Sequence, residues 1–266
     1  MTEVMRCEAC GGSVVYDAAR EAAACLFCAS VALVVDDSGE ATAAPDAMLP
    51  FEVDAEAARA RFRRWARSSW WTPEPVRRLQ VQLHPVLLPV WRFEATVETH
   101  WAGLVSARTR SGLRPRAGVE HAELEATVPA SMGLREAELL ALLPFREGAA
   151  ASFDASSPHE VPGLSERAAS EQARAQLLDE HRRRIHRAHR LERIRASALT
   201  RIRRSRLLMV PVYIGSFRYR DRAWRFVING QTGTVSGLAP IDRRKIAVVV
   251  TLVVAGLAAW LLLRGG

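Results

Sequence analysis

Four cysteines near the start of the chain, Cys7, Cys10, Cys25 and Cys28, constrain its fold more than any other feature. They form two Cys-x2-Cys turns separated by fourteen residues, and they are the only cysteines present. A tetrahedral zinc ion takes four thiolate ligands at about 2.3 Å, and each such turn supplies two of them. Gly11 and Gly12 follow the first turn and let the backbone bend sharply beneath a metal. The spacing predicts a structural Zn2+ site in a ribbon over residues 1–35. The competing reading is two disulfides, which need an oxidising compartment. Residues 1–6 carry no apolar run of the kind that opens an export signal.

Residues 246–263 are the second constraint. They hold no charge and, as a helix, span roughly 27 Å, enough for a bilayer core. Asp242-Arg243-Arg244-Lys245 precedes this run and Arg264 follows it. The excess of cations on the N-terminal side predicts a single-pass protein of the cytoplasmic membrane, tail-anchored, with residues 1–245 in the cytoplasm. A reducing cytoplasm is also where a tetrathiolate site survives, so the two ends of the chain agree.

The 266 residues carry a net charge of +8 and are 49% hydrophobic, enough for a folded core beside small modules. Lys245 is the only lysine, which excludes a P-loop, a kinase-type lysine and a Schiff-base lysine elsewhere. The abundance of arginine and alanine matches GC-rich codon usage, so the basic balance by itself says little about partners.

Residues 36–50 are small, acidic and proline-flanked, and read as a linker; the ribbon then becomes a rigid knob on a flexible arm. Asp54 is placed to cap a helix whose Ala58, Phe62 and Trp65 share one face. A short helix is expected over 74–83. Alternation at Trp91, Phe93, Ala95 and Val97 predicts a strand within a β-rich half of about 84–130. A turn at 111–118 leads to its second strand, a short helix follows over 136–143, and 144–163 reads as loop.

A long helix is expected over about 165–206, with Leu177, Ile185, Ala188, Leu191, Ile194, Ala198 and Ile202 as its apolar stripe. Residues 182–206 include eleven arginines and one acid, Glu192. A β-meander over 207–237 closes the domain, its Asn229-Gly230 step predicting a type I′ hairpin. Leu88-Pro89-Val90-Trp91 and Val210-Pro211-Val212-Tyr213 share an apolar-Pro-Val-aromatic pattern, a weak internal duplication that suggests two sheets meeting in one core.

The hydrolase and metalloprotease signatures Gly-x-Ser-x-Gly and His-Glu-x-x-His do not occur, and no catalytic residue is nominated. His186 and His189 would share a helical face and could ligate a metal, although between arginines such histidines are usually solvated. His84 and His100 lack an adjacent partner, and the polar run Asn229-Gly-Gln-Thr-Gly233 is explained by turn chemistry. The basic stretch can face nucleic acid, the anionic inner leaflet or an acidic protein.

The assembled motifs resemble a family of bacterial zinc-ribbon membrane proteins. These are often labelled as related to the zinc-binding part of the replication-restart helicase, or to a transcription-factor-IIB-type ribbon. The matching residues are Cys7-x2-Cys10-Gly-Gly, Tyr16-Asp17, Cys25-x2-Cys28, Leu49-Pro-Phe51, Trp71-Thr-Pro73, Leu88-Pro-Val-Trp91, Val128-Pro-Ala-Ser131, Pro211-Val-Tyr213 and Val227-Ile-Asn-Gly-Gln-Thr-Gly233. The resemblance covers most of the chain and is weakest over 103–126 and 144–206. It implies a non-enzymatic membrane protein, with a role in membrane stress suggested for some relatives. The helicase label extends only to the ribbon, since no motor is possible here.

The expected architecture is α+β. It comprises a zinc ribbon (1–35), a linker (36–50), a cytoplasmic domain (51–240) bracketing the long basic helix, and a transmembrane helix (246–263). The expected role is an adaptor or scaffold for a protein partner, with membrane-tethered nucleic-acid binding as the alternative and a small-molecule substrate not expected.

Overall fold

The structure, a computed structural model, describes residues 2–17, 24–28, 30–35, 43–106, 112–220 and 222–264. Two very long strands organise it. Strand β5 (Leu83–Ser106) runs antiparallel to β8 (Leu191–Tyr219) from the Leu83–Gly215 pair to the Val105–Leu191 pair. On the far edge of β5 lies β6 (Leu113–Pro129), and beyond β8 come β9 (Arg222–Asn229) and β10 (Val235–Gly237). The two β-rich segments expected from sequence are thus one sheet.

Pairing of the N-terminal strands, expected as a ribbon, extends this sheet to ten strands. Strand β1 (Thr2–Cys7) pairs with β2 (Ser13–Asp17) and β3 (Leu33–Val35). Strand β2 then pairs with the two-residue β7 (His159–Glu160), which lies beside Leu87 of β5. The Val161 N–H donates to the Ser13 carbonyl at 2.8 Å and the Leu87 N–H to the Pro158 carbonyl at 2.9 Å. The ribbon is therefore not a knob on a free arm but the outer edge of the sheet, and 144–163 supplies the connecting strand.

The expected linker changes too. Residues 36–42 lie outside the described residues, but Ala47–Met48 forms β4, parallel to Leu208–Met209 of β8. Leu49 beside it is 1% exposed. An apolar Met48-Leu49 step beside an open strand edge is drawn into the sheet whatever the prolines around it suggest.

Helix α1 (Ala55–Ser68) starts where Asp54 accepts the Ala57 N–H at 2.8 Å and buries Ala58, Phe62 and Ala66, one turn apart. A short α2 (Glu74–Arg77) and α3 (Glu136–Leu140) follow where short helices were expected. Helix α4 (Glu166–His189) is capped by Ser165 and ends at Arg190, whose φ of 51° is left-handed. Residues 191–206, expected as its continuation, are instead the first half of β8. Ile194, Ala198 and Ile202 recur every four residues, a spacing that fits both a helical stripe and two strand repeats. Ala196 and Thr200 fall between them on the same partly buried face of the strand, and that resolves the ambiguity.

The duplicated pattern takes a definite form. Leu88 pairs with Val210, flanked by the Pro89–Met209 and Leu87–Pro211 pairs, so the two copies are related by a quasi-two-fold axis through the sheet. The Pro89 carbonyl accepts the Ala130 N–H at 3.0 Å, and the Pro211 carbonyl accepts the Gly230 N–H at 2.8 Å. Trp91 Nε1 donates to the Leu164 carbonyl, one residue before the α4 cap; Tyr213 Oη donates to the Val53 carbonyl, one residue before the α1 cap, each at 2.8 Å. The helices are exchanged. α1 precedes the first strand pair but packs on Tyr213, Phe217, Phe226 and Ile228 of the second. α4 precedes the second but packs on Trp91, Phe93, Leu124 and Val128 of the first.

The Asn229-Gly230 step does not make a type I′ hairpin. Gly230 has no left-handed φ; Gly233 takes it, at 72°, and the turn is closed by the Gly233 N–H to the Asn229 carbonyl at 2.9 Å. Last comes α5 (Arg243–Arg264), the one helix among the described residues long and apolar enough to cross a membrane. Its side chains are exposed, Leu252 by 66% and Leu262 by 79%.

Candidate metal centre

The chain brings all four cysteines together. Their Sγ atoms lie within 4.8 Å of one another, with Cys7–Cys28 at 3.5 Å and Cys10–Cys25 at 3.7 Å. These are free thiols, far outside disulfide bonding distance. A tetrahedral ion with metal–sulfur bonds of about 2.3 Å places its sulfurs about 3.8 Å apart, so the donor set fits a metal of that size and softness.

Local sequence produces this geometry. In the first turn the Gly11 N–H donates to the Cys7 carbonyl at 2.8 Å and the Cys7 N–H to the Gly12 carbonyl at 3.0 Å. Gly11 adopts φ 78°, which a side chain would oppose. In the second, the Cys25 N–H donates to the Ser30 carbonyl at 2.8 Å and the Phe27 N–H points at Cys25 Sγ at 3.4 Å. Burial pushes the Cys10 and Cys25 thiols up, Cys25 to about 11. Burial also opposes ionisation of Cys7, but the N–H groups of Cys10 and Ala9 and the nearby Cys28 and Cys25 sulfurs outweigh it and lower that thiol to about 7. A divalent cation deprotonates coordinating thiols outright, which relieves this conflict.

Three residues not singled out in the sequence lock this centre to the sheet. Phe27, between the second pair of cysteines, is 2% exposed, and its ring lies against Gly12 and Gly133. A Cβ at either glycine would stand 2.6 Å or 2.4 Å from that ring. Arg225 of β9 donates to the Phe27 carbonyl at 2.7 Å and the Gly133 carbonyl at 2.8 Å, and pairs with Glu138 at 2.6 Å. Glu160 Oε1 accepts the N–H groups of Met132 and Gly133 at 2.9 and 2.8 Å. Burial raises the Glu160 carboxyl to about 7 against the pull of Ser131, those two N–H groups and Arg225. A phenylalanine inside a Cys-x2-Cys turn, a large apolar side chain beside the thiols, was the available signal.

The other sequence candidates do not assemble into a site. His189 stacks on Trp101 with ring centroids 4.5 Å apart and pairs with Glu120, and His100 pairs with Glu98 at 2.8 Å. Asn229 and Gln231 are structural. Asn229 Nδ2 donates to the Leu142 carbonyl at 2.8 Å, and the Gln231 amide bonds the Arg146 N–H and carbonyl at 2.8 and 3.0 Å. They clamp residues 142–146 to the meander. The basic stretch is divided between the end of α4 and β8, and five of its eleven arginines are ion-paired. Arg182 and Arg183 meet Asp179, Arg184 meets Glu180, Arg203 meets Glu123 and Arg206 meets Glu94 and Glu147.

No family model, curated protein or solved structure matches the chain.

Proposed function

We propose that this chain is a zinc-stabilised scaffold held at the cytoplasmic face of a membrane by α5 and presenting its long sheet to a protein partner. The observation that carries the reading is the thiol cluster built into the sheet edge. Its metal holds a structural corner, locked by Phe27 and Arg225, rather than an open catalytic position. Four thiolates select soft or borderline ions, and zinc is the metal that most often takes this tetrahedral set. Cys7, Cys10, Cys25 and Cys28 are its ligands. Arg243, Arg244 and Lys245, ahead of the apolar run, favour a cytoplasmic sheet domain. Strand β8 is 29 residues long, and along its first half, which hydrogen-bonds to β5, Arg193, Arg195, Arg201, Arg203 and Arg204 are exposed. That is an extended surface suited to docking rather than to turnover. The resemblance to bacterial zinc-ribbon membrane proteins belongs to the same reading, as does a part in membrane stress.

Metal analysis of the wild type and Cys25→Ser tests the zinc assignment; equal zinc in both removes it. Affinity capture of the full chain from its own membranes tests the scaffold: a stoichiometric protein is the expected result. Nucleic-acid binding is the alternative. It is disfavoured by the carboxylates that already pair Arg182, Arg183, Arg184, Arg203 and Arg206, five of the eleven arginines of the basic stretch. Tight, steeply salt-dependent DNA or RNA binding by the full chain would reverse that order.

A further inference from the structure

Three arginines at the root of α5 stand apart from the paired ones. Arg220, Arg222 and Arg243 are exposed and, among the described residues, make no ion pair. Asp221, between the first two in sequence, lies outside the described residues. They line a cleft of about 660 Å³ together with Tyr219, Trp224 and Ile241. No carboxylate among the described residues lines it.

Two of the guanidinium groups are held in place. Arg220 lies over the Tyr219 ring at 5.5 Å and Arg222 over Trp224 at 4.7 Å. A guanidinium stacked on an aromatic face keeps its N–H edge free, and that fork matches a phosphate bidentately. Arg220 also holds a left-handed φ of 48° at the β8–β9 turn, a conformation natural to glycine or asparagine and uncommon for arginine.

The position identifies the ligand. Ile246, the first residue of the uncharged run, lines the same cleft. On the other side of the helix root, Lys245 Nζ donates to the Trp70 and Thr72 carbonyls at 2.6 and 3.2 Å, and the Asp242 N–H donates to the Trp71 carbonyl at 2.8 Å. Trp70 is 54% exposed and Ile241 57%. Half-exposed tryptophans and apolar residues around the root of a spanning helix are what the headgroup layer of a bilayer accommodates. We infer that Arg220, Arg222 and Arg243 form a binding site for the headgroup phosphate of an anionic phospholipid, cut into the side of the domain at the membrane surface. This inference rests on the reading of α5 as a membrane span.

The experiment uses the full chain reconstituted into vesicles of phosphatidylcholine, alone or mixed with phosphatidylglycerol. Flotation first reports insertion. Spin-labelled phosphatidylglycerol and phosphatidylcholine then report the fraction of each lipid immobilised by the protein. Wild type is expected to hold the phosphatidylglycerol label preferentially. Each Arg→Gln change at 220, 222 or 243 should lower that preference about fivefold, the factor that corresponds to about 1 kcal/mol per cation near a charged surface. Arg222→Lys should retain part of the preference, and the triple Gln variant of Arg195, Arg201 and Arg204 on β8 should retain all of it. Insertion with equal immobilisation of both labels overturns the site while leaving the membrane reading intact. Failure to float overturns both. Loss of the preference on adding millimolar-range glycerol phosphate would show a site for a soluble phosphate and overturn the lipid assignment.

Discussion

Phe27→Ala tests whether the metal centre is part of the sheet or only tethered to it. The side chain is 2% exposed, between two glycines that leave room for its ring. Burying a phenyl side chain removes about 200 Å² of apolar surface, worth about 5 kcal/mol at about 25 cal/mol per Å². A compact unfolded chain trims this to about 3–4 kcal/mol, within the range for Phe→Ala in a core. The cysteines and the Phe27 N–H that points at Cys25 are untouched by the change. Stability should therefore fall while metal content stays at the wild-type level. Urea unfolding of the full chain in micelles, followed by tryptophan fluorescence, gives the first quantity, and metal analysis gives the second. Faster amide exchange at 132–134, where Gly133 meets the ring, should accompany the loss. Gly133→Ala, whose new methyl would overlap the ring, should act in the same direction. A stability loss below about 1 kcal/mol, with exchange at 132–134 unchanged, would refute the docked centre.

Glu160 should make stability depend on pH. Its folded carboxyl, raised from 4.5 to about 7, holds a proton more tightly than the unfolded chain does. Its contribution is fully present below pH 4.5 and is lost as the pH rises to about 7, a swing of roughly 3 kcal/mol. Glu160→Gln should flatten that window in melting curves taken across it. Asn229→Ala strands the Leu142 carbonyl and the Gln231 N–H and should cost about 2–4 kcal/mol in the same unfolding assay. Tyr213→Phe removes one hydrogen bond and should cost about 1 kcal/mol; Trp91→Phe removes the equivalent bond and also part of a buried ring, and should cost about 2–3 kcal/mol in the same assay.

The clustering of Cys7, Cys10, Cys25 and Cys28 was legible because the chemistry of a thiolate site dictates such a spacing. Helix α1 was legible from its cap and its repeat, and so were the alternating residues of β5. The stretch 191–206 was not, because a four-residue recurrence of Ile and Ala serves a helix and a strand equally. Its state is decided by the pairing with β5, whose partner residues are 86 to 114 positions away in the chain. The joining of ribbon and sheet was hidden for a similar reason: β7 is two residues long, and its neighbours decide its conformation. The proline-valine-aromatic repeat was visible, but the exchange of helices between its copies is a property of three-dimensional packing.

That exchange bears on how the protein is made. The apolar face of α1 finds its cover on Tyr213, Phe217, Phe226 and Ile228, late in the chain, while its own hairpin waits for α4. During synthesis the first half therefore cannot close when it emerges, and its greasy surfaces stay open until almost the entire chain exists. The apolar run from Ile246 follows Ile228 by eighteen residues. With α5 as the proposed membrane span, completion of the domain and delivery to the bilayer are then nearly simultaneous, so a delay in one prolongs the exposed state of the other.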